Sequence, residues 1–531
     1  MSPVVSQAQT VELVGDINPG GNSSVTQKID LGGTLIFSAY EPTHGAEIWK
    51  SDGTPGGTSL LKDINPGTGN ANINNLIVYD GKVYFSADDG THGREIWVTD
   101  GSAAGTVMLK DIDPAGNGSF SYPIVFDNRL FFVANDGVHG SEWWTTDGTA
   151  GNTQLFVDSS SVGGSPANPY IFNDELYYAY LQPGIGVEPW VTNGTPAGTR
   201  LLTNINMTAS MNSSPAEFRE YNSFLYFSAD DGLTGSEVWV TDGTASGTSQ
   251  LVDLRPGTLG SAPRHFFPYN NRLYFEAADG TTGTEVWMTD GTATGTSLLS
   301  DIHPTGNADP IGFTLYGGNL FFSATDGVHG REPWLSDGTA GGTFLLKDIN
   351  PAGSSMPGYF TFSLNPVEYD GKLFFVADAG SNGYELWTTD GSGSGTLLLP
   401  FSGGSGSGPL AAFNEFVLCG GFLYFDANYD GTGEDLYRVA AGGATVEEDL
   451  PEEPVLFPNP STGLIQLRLP AFCHDVYFEV TDLAGRTLLL EKNTGLRQLD
   501  LSDFPPAVYL LRIQWQDGSK TVRLVKTGSG R

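Results

Sequence analysis

The chain is built around a repeated tripeptide, Glu-x-Trp, followed closely by a turn of the Asp-Gly-Thr type. Successive tryptophans are 46 to 53 residues apart, which is too regular a spacing for chance. A sequence that repeats at such a period folds as similar units that pack against their neighbours. The tryptophans that mark these units are Trp49, Trp97, Trp144, Trp190, Trp239, Trp287, Trp334 and Trp387.

The unit at residues 74–113 shows what one repeat contains. It opens with two alternating apolar runs joined by Asp80-Gly81, a two-residue hairpin signal. Two more strand-like runs follow, "REIWVTD" and "TVMLKDI", and the turn "GSAAG" separates them. Four short antiparallel strands in about 48 residues are typical of one β-propeller blade. No segment shows a helical period over a useful length.

The two ends of the array complement each other. The segment "LVGDINPG" at residues 13–20 matches "LLKDINPG" at residues 60–67, the fourth strand of a unit. The last unit, residues 416–439, has three strands and lacks the fourth. A closed ring leaves no sheet edge exposed. The sequence therefore predicts an all-β fold with a propeller of nine four-stranded blades, closed by a composite blade from both ends. Eight blades with frayed ends are the alternative.

We assign the repeated residues to structure, because a residue needed in every blade serves packing, whereas catalysis needs one asymmetric site. Glycine supplies turn conformations with positive φ, aspartate hydrogen-bonds the turn amides, and tryptophan offers a flat surface to the next blade. The repeated glutamate points to the same side as the tryptophan, and a buried carboxylate must find donors. We expect a hydrogen bond to a neighbouring turn, with a ring of metal sites as the alternative.

The net charge of −36 restricts the partners. The excess of acid lies up to Glu453, where there are 54 acidic and 16 basic residues, whereas residues 454–531 carry 7 and 9. Such a surface repels nucleic acid and anionic membranes, so no nucleic-acid partner is expected. No apolar run reaches about 18 residues, so no transmembrane segment is expected either.

The repeats resemble the ELWxxDGT (hyalin-like) repeat family of bacterial secreted proteins, as in "ELWTTDGSGSGT" from Glu385. The resemblance covers the predicted propeller domain, residues 11–440. It implies a propeller-like extracellular protein and tells almost nothing about the ligand, for which an unknown extracellular protein or glycan is expected.

A change of composition follows the repeats. Residues 441–453 are acidic and rich in small residues, which indicates a linker. Residues 454–531 alternate strand-like runs with turns and predict a small β-sandwich. This segment resembles the type A C-terminal sorting domain of the type IX secretion system of Bacteroidetes. The residues that carry the resemblance are Pro458, Asn459, Pro460, Gly463, Asp482, Gly485, Leu501, Val508, Tyr509 and Lys526.

The sorting-domain resemblance implies export by the type IX secretion machinery, removal of the domain, and release or surface attachment of the propeller. Ala507 and the five residues after Lys526 depart from the family pattern. At the other end, residues 1–10 form a lead-in, either the remnant of a signal peptide or an ordinary polar segment. The two cysteines, Cys419 and Cys473, leave a disulfide and two free thiols both open.

Propeller loops that join the second strand to the third emerge on the same face as the connectors between blades, and loops on a rigid scaffold are where recognition usually resides. The connectors vary most in length at Ser159–Asn168, Asn206–Pro215 and Ser354–Pro366. The strand-joining loops are acidic, so calcium is the one cofactor that we consider there. Its candidate ligands are Asp89, Asp136, Asp230 and Asp326.

We expect no enzyme activity, because the chain has no nucleophile elbow, phosphate loop or zinc-binding motif. We favour a secreted or cell-surface scaffold for binding and adhesion. The alternative is a carbohydrate-active enzyme that uses opposed carboxylates across the propeller channel. Its candidate residues are not repeated and lie on the innermost strands: Glu217, Arg219, Arg264, His265, Glu368 and Glu415.

Overall fold

The computed structural model describes residues 9–157, 164–208, 210–357, 366–380, 383–399, 416–429 and 433–440 of the repeat region. From the C-terminal region it describes residues 455–457, 464–468, 476–481, 486–493, 498–500, 505, 507–515 and 518–526. Two compact units are distinguished, one of residues Gln9–Ala441 and one of residues Met1–Ala8 with Gly442–Arg531.

After a first strand, β1 (Thr10–Gly15), the larger unit contains eight antiparallel sheets, each made of four consecutive strands. Blades 1 to 4 are β2 (Thr26–Leu31), β3 (Thr34–Glu41), β4 (Gly45–Ser51), β5 (Ser59–Lys62); β6 (Asn74–Tyr79), β7 (Lys82–Asp88), β8 (Arg94–Thr99), β9 (Val107–Lys110); β10 (Ser121–Phe126), β11 (Arg129–Asn135), β12 (Ser141–Thr146), β13 (Gln154–Leu155); and β14 (Ala167–Phe172), β15 (Glu175–Gln182), β16 (Gly186–Thr192), β17 (Arg200–Leu201).

Blades 5 to 8 have the same order of strands. They are β18 (Ala216–Tyr221), β19 (Phe224–Asp230), β20 (Ser236–Thr241), β21 (Ser249–Val252); β22 (Arg264–Tyr269), β23 (Arg272–Ala278), β24 (Thr284–Thr289), β25 (Ser297–Ser300); β26 (Ile311–Tyr316), β27 (Asn319–Thr325), β28 (Arg331–Ser336), β29 (Thr343–Leu345); and β30 (Val367–Tyr369), β31 (Lys372–Asp378), β32 (Tyr384–Thr389), β33 (Leu397–Leu398). Short 3₁₀ turns lie at Pro55–Gly57, Ala150–Asn152, Pro196–Gly198 and Ala340–Gly342.

The ninth blade is composite. Strands β34 (Val417–Cys419), β35 (Phe422–Ala427) and β36 (Asp435–Ala440) form its first three strands, and β1 pairs antiparallel with β36 as the fourth. The register places Thr10 opposite Ala440 and Leu13 opposite Tyr437. The predicted fold class is confirmed, with nine blades and not the alternative of eight.

The core of the propeller lies between the sheets. In the described part of the chain, nine hydrophobic clusters each combine residues of two successive blades. Ile36 of blade 1 packs with Phe85 and Trp97 of blade 2. Phe37 of blade 1 packs with Tyr424 of blade 9, so the cluster at the joint between the ends resembles the others. The ring is therefore closed by the same apolar packing that joins consecutive blades.

The Asp-Gly-Thr turns are built from their own side chains and fit against the preceding blade. In blade 7, Asp337 Oδ1 accepts bonds from the Thr339 amide at 2.9 Å and the Thr339 hydroxyl at 2.7 Å. Gly338 between them has φ of 89°, and a β-carbon on it would lie 2.6 Å from the Tyr274 hydroxyl of blade 6. Glycine is required there both by the backbone conformation and by the close approach of the neighbouring blade.

One buried ion pair lies at the joint of the ring. Lys28 Nζ of blade 1 is 2.8 Å from Asp426 Oδ1 of blade 9, and the two side chains are 0% and 2% exposed. The Cys419 thiol lies in the same region, is free and buried, and donates to Asp30 Oδ1 at 3.0 Å. Burial raises the pKa of this thiol. Cys473 lies outside the described residues, so its state is not described.

The smaller unit contains two antiparallel sheets. Their strands are β37 (Val455–Phe457), β38 (Leu464–Arg468), β39 (Val476–Thr481), β40 (Thr487–Asn493), β41 (Gln498–Asp500), β42 (Ala507–Trp515) and β43 (Gly518–Lys526). The order is β37-β38-β41 in one sheet and β40-β39-β42-β43 in the other. Of the sorting-signal residues, Tyr509 and Lys526 are buried, and Tyr509 Oη donates to the Pro505 carbonyl at 2.6 Å. Pro458, Asn459, Pro460, Gly463, Asp482 and Gly485 lie outside the described residues.

Breaking the buried pair at the joint is expected to cost far more than breaking an exposed pair of the same length. Lys28→Ala leaves the buried carboxyl group of Asp426 without its partner, and we expect a loss of about 3–5 kcal/mol in unfolding free energy. Arg200→Ala removes an exposed pair, Arg200 to Glu175 at 2.8 Å, and should cost at most about 1 kcal/mol. Denaturant unfolding measures the free energy of unfolding of both variants. Equal losses would contradict the conclusion that the Lys28–Asp426 pair is buried and stabilises the joint.

The two glycines of the blade 7 turn should respond differently to alanine. Gly338→Ala forces a side chain into a left-handed conformation and against Tyr274, so we expect destabilisation of about 1–3 kcal/mol. Gly341 in the same turn has open space around its Cα, so Gly341→Ala should be neutral or stabilise by up to about 1 kcal/mol. Thermal unfolding measures the stability of both variants. If both are destabilised equally, the turn does not tolerate any added side chain, and the conformation of Gly338 is not the cause.

Candidate functional site

The connectors between blades meet the loops between second and third strands on one face of the propeller, which we call the connector face. In blade 1 the Ala46 amide donates to Asn70 Oδ1 of the following connector at 2.8 Å. The same contact joins Arg94 to Asn117 and Val187 to Asn212, at 2.8 and 2.9 Å. These three connectors are thus fixed to the blades that they leave.

The repeated glutamates hold this face together. Glu47 is fully buried, and its carboxylate accepts bonds from the connector amides of Ile64 at 2.7 Å and Asn65 at 3.0 Å. In the composite blade Asp435 takes this place and accepts from the Ile17 amide at 3.4 Å. The contact recurs with connector amides at Glu95, Glu142, Glu188, Glu237, Glu285 and Glu332. The expected hydrogen bond to a neighbouring turn is therefore found in these blades.

Burial changes the acidity of these glutamates. It raises the pKa of Glu47 and of Glu285 to about 7, although the connector amides act in the opposite direction. The pKa of Glu95, Glu188, Glu237 and Glu332 is also raised, with burial again the largest cause. In the described residues, no three side chains of His, Cys, Asp or Glu are grouped so that they could hold a metal ion.

The loop aspartates predicted as calcium ligands bond to their own loops. Asp89 Oδ1 accepts from the amides of Thr91 and His92, each at 2.9 Å, and Oδ2 lies 2.8 Å from His92 Nδ1. Burial acts to raise the pKa of Asp89, but the bonds from His92 and Thr91 lower it. Asp136 and Asp326 bond to their loops in the same way. A calcium ion at these positions would have to share carboxylates that the loop already uses.

Asp230 does not occupy the position of the other three candidates. Its carboxylate accepts from the Gly232 amide at 2.7 Å, as Asp88 does from Gly90. The equivalent of Asp89 is Asp231, which accepts from the Leu233 and Thr234 amides, each at 2.8 Å. The choice of Asp230 as the candidate was therefore wrong by one residue. Two aspartates adjoin in this loop, and only the second, Asp231, has Thr234 three residues later.

The first strands of blade 9 and of blades 1 to 7 lie next to one another in that order. In several of them the second residue has a left-handed conformation, at Gln27, Asn75, Tyr122, Asn168, Glu217 and His265. The strand register shifts at this point, and the side chain or amide reaches the next blade. Asn75 Nδ2 donates to the Phe120 carbonyl at 2.6 Å, and Glu217 Oε2 accepts from the His265 amide at 2.8 Å. Sequence reasoning missed this feature.

The structure brings together part of the set proposed for an enzyme. His265 Nδ1 lies 2.9 Å from Glu276 Oε2, and this bond raises the pKa of His265, with a smaller contribution from Glu217. Arg264 is the strand partner of Glu276. Sequence reasoning missed Glu276, although a signal existed, because seven of the other blades have an uncharged residue there and only blade 9 has a second acid, Asp426. The uncharged residues are Ser38, Ser86, Val133, Ala179, Ser228, Ser323 and Val376.

The remaining enzyme candidates are not part of this group as the structure describes it. Arg219 Nε donates to the Phe266 carbonyl at 3.1 Å, so it bonds to the backbone of the next blade. Glu368 lies on β30 in blade 8, opposite Leu373. Glu415 lies outside the described residues, as do residues 158–163 and 358–365 of two variable connectors.

Residues 455–527 match the family model of the secretion system C-terminal sorting domain. This match confirms the predicted type IX sorting domain, and the protein is a secreted or cell-surface protein. The ELWxxDGT family of the repeats stays a prediction. Within the part of the chain that the structure describes, no helix is sufficiently long and apolar to span a membrane. A comparison with curated proteins finds no match.

Several solved structures are weakly similar. PorZ, a surface component of the type IX secretion system of Porphyromonas gingivalis, is 13% identical with a TM-score of 0.35, over 95% of this chain and 75% of PorZ. A prolyl endopeptidase is 12% identical with a TM-score of 0.39; the match covers 67% of this chain and only 54% of the endopeptidase. Oligopeptidase B from Leishmania major is 10% identical with a TM-score of 0.38, over 67% and 53%. At these TM-scores the similarities assign neither an activity nor a ligand.

The raised pKa of the connector glutamates predicts that the propeller is more stable in mild acid than above neutrality. Between about pH 4.5 and 7 the folded state binds protons at Glu47 and Glu285 that the unfolded state has released, so unfolding free energy falls as pH rises. This stabilisation is fully present below the pKa of the unfolded state, 4.5, and is lost as the pH rises through the folded-state pKa of about 7. Tm should therefore be higher near pH 5 than near pH 8, as measured by calorimetry.

A glutamine variant tests the source of this pH dependence. Glu47→Gln cannot ionise, so it should reduce the difference in Tm between the two pH values. Glu220→Gln changes the net charge equally at an exposed position on β18 and is the matched control. An unchanged pH dependence in Glu47→Gln would assign the effect to other groups.

Proposed function

We propose that the protein is a non-enzymatic scaffold for binding and adhesion outside the cell, and that the connector face recognises an extracellular protein or glycan. The observation that supports this is the anchoring of connectors of different length by the same buried glutamate. Glu47 accepts from the Ile64 amide at 2.7 Å and Glu188 from the equivalent Ile205 amide at 2.8 Å, although the two connectors differ in length. A rigid ring can therefore carry variable recognition loops without a change in its own packing.

The chemistry of the repeats supports a binding function more than a catalytic one. Glu95, for example, has its oxygens occupied by the amides of Ile112 and Gly118, each at 2.7 Å. A catalytic carboxylate must be able to reach a substrate proton. The repeated carboxylates are buried and engaged, so an activity would have to use residues that occur once.

One group of such residues favours a second candidate, a carbohydrate-active enzyme in the channel. Glu217, His265 and Glu276 lie together between blades 5 and 6 and include two carboxylates, the residue type that glycoside hydrolysis needs. His265 is paired with Glu276, and the carboxylate of Glu217 accepts a backbone amide. We rank this second, because these contacts also satisfy charged groups beside a wet channel.

The two candidates are separated by measuring binding and hydrolysis with the full-length chain. We expect binding on an array of glycans and purified extracellular proteins, and no hydrolysis of the same glycans. Replacing Ser159–Asn168, Asn206–Pro215 and Ser354–Pro366 by the connector sequence of residues 65–74 should reduce binding at least tenfold, about 1.4 kcal/mol. Hydrolysis that is abolished by Glu217→Gln or His265→Ala, with binding unaffected by the connectors, would favour the enzyme instead.

A further inference from the structure

Four apolar side chains are exposed together on the connector face at blade 5. Met207 is 85% exposed, Leu233 and Leu259 are each 75% exposed, and Met211 is 54% exposed. We call these four residues the apolar arc. Met207 and Met211 belong to the connector that enters blade 5, Leu233 to the loop between β19 and β20, and Leu259 to the connector that leaves blade 5.

The backbone holds the three segments of the arc side by side. A β-carbon on Gly232, next to Leu233, would lie 2.8 Å from Asn206 Oδ1, next to Met207. A β-carbon on Gly235 would lie 2.8 Å from the carbonyl carbon of Leu259. The loop that carries Leu233 therefore lies between the two connectors, in contact with both.

Two members of the arc replace a glycine of the repeat. Connectors pass close to a glycine in the loop between the second and third strands of the blade that they leave. In five described connectors away from blade 5, the connector residue at this contact is also a glycine: Gly21, Gly69, Gly116, Gly306 and Gly353. At the two connectors around blade 5 this residue is Met211 or Leu259. The fold accepts glycine at the position, and more than half of the surface of each larger side chain faces water. Exposed apolar groups that the fold does not need indicate an interaction surface.

The surroundings of the arc are acidic. Asp230 and Asp231 stand three and two residues before Leu233. Burial acts to raise the pKa of Asp231, but amide and hydroxyl bonds from Thr234 and the Leu233 amide lower it, so this carboxylate is ionised at neutral pH. Residues up to Glu453 carry 54 acids and 16 bases. The surface around the arc is therefore strongly negative, and a partner with positive charge is favoured there.

We propose that the apolar arc is a docking site for a protein partner that presents an apolar anchor surrounded by lysine or arginine side chains. The proposal rests on the function given above and names the part of the connector face that is used. Methionine is enriched in protein interfaces and adapts its shape to a partner. A second copy of this chain and an anionic membrane are both disfavoured by like charge. A glycan offers hydroxyl groups, for which these four side chains have no hydrogen-bonding atoms except weak thioether acceptors.

Three synthetic peptides of equal length serve as probes for the full-length chain: one of leucine and lysine, one of leucine and glutamate, and one of serine and lysine. We expect the leucine–lysine peptide to bind at least tenfold more tightly than either of the others, by fluorescence anisotropy. The variant Met207→Ser/Leu233→Ser/Leu259→Ser keeps every charge and should lose at least tenfold in affinity for that peptide. Thermal unfolding checks that the variant is folded, which is expected because these side chains are exposed.

A matched control uses apolar residues of the same loop position outside the arc. Val138 and Val328 are 75% and 80% exposed in blades 3 and 7, and Val138→Ser/Val328→Ser should leave the affinity unchanged. Equal affinity of wild type and arc variant, or equal affinity for the serine–lysine peptide, would overturn the proposal. So would self-association in sedimentation that the arc variant abolishes, since the occupant would then be a second copy. Array binding that is lost on connector replacement but retained in the arc variant would overturn the proposal and leave the proposed function intact.

Discussion

The packing of each sheet against the next is the interaction on which the rest of the structure depends. A four-stranded sheet of such short strands cannot bury both of its faces alone, whereas Phe37 and Phe85 are fully buried between neighbours. Contacts between consecutive blades join residues about one repeat apart. The closing contact, Lys28 with Asp426, joins residues 398 positions apart. Because long-range contacts carry the larger loop-closure entropy, we expect the joint to form after the local blade pairs.

The buried charges at the joint also distinguish nine blades from eight. Asp426 stands on the second strand of blade 9, where blade 8 has Val376. If blade 8 closed the ring against blade 1, Lys28 would be buried against a valine without a counter-charge. An unpaired buried charge is far more costly than the loss of one apolar contact. The pair therefore favours the joint between blades 9 and 1 over a ring with one blade fewer.

Periodicity made most of the fold predictable, because it applies to features that every blade must share. The strand pattern, the hairpin at Asp80-Gly81 and the incomplete last unit together fix the number of blades and the composite closure. The left-handed residue on several of the first strands could not be predicted in this way. Asparagine, as at Asn75, tolerates that conformation, but Tyr122, Glu217 and His265 give no such signal. The contact that fixes it comes from the next blade, and a single repeat carries no information about that contact.

Residues that break the repeat divide into two classes by their environment, and this division separates fold from function more clearly than residue type does. Asp426 breaks the repeat inside the ring, where it has a partner, so the fold accounts for it. Met211 and Leu259 break it on the surface, where the fold is satisfied by glycine. Glu276 lies between the classes, since it is half-buried but its partner His265 is 39% exposed. In a ring whose repeated carboxylates hold the connectors, changes of the second class leave the packing of the blades intact, and Met211 and Leu259 both adjoin blade 5.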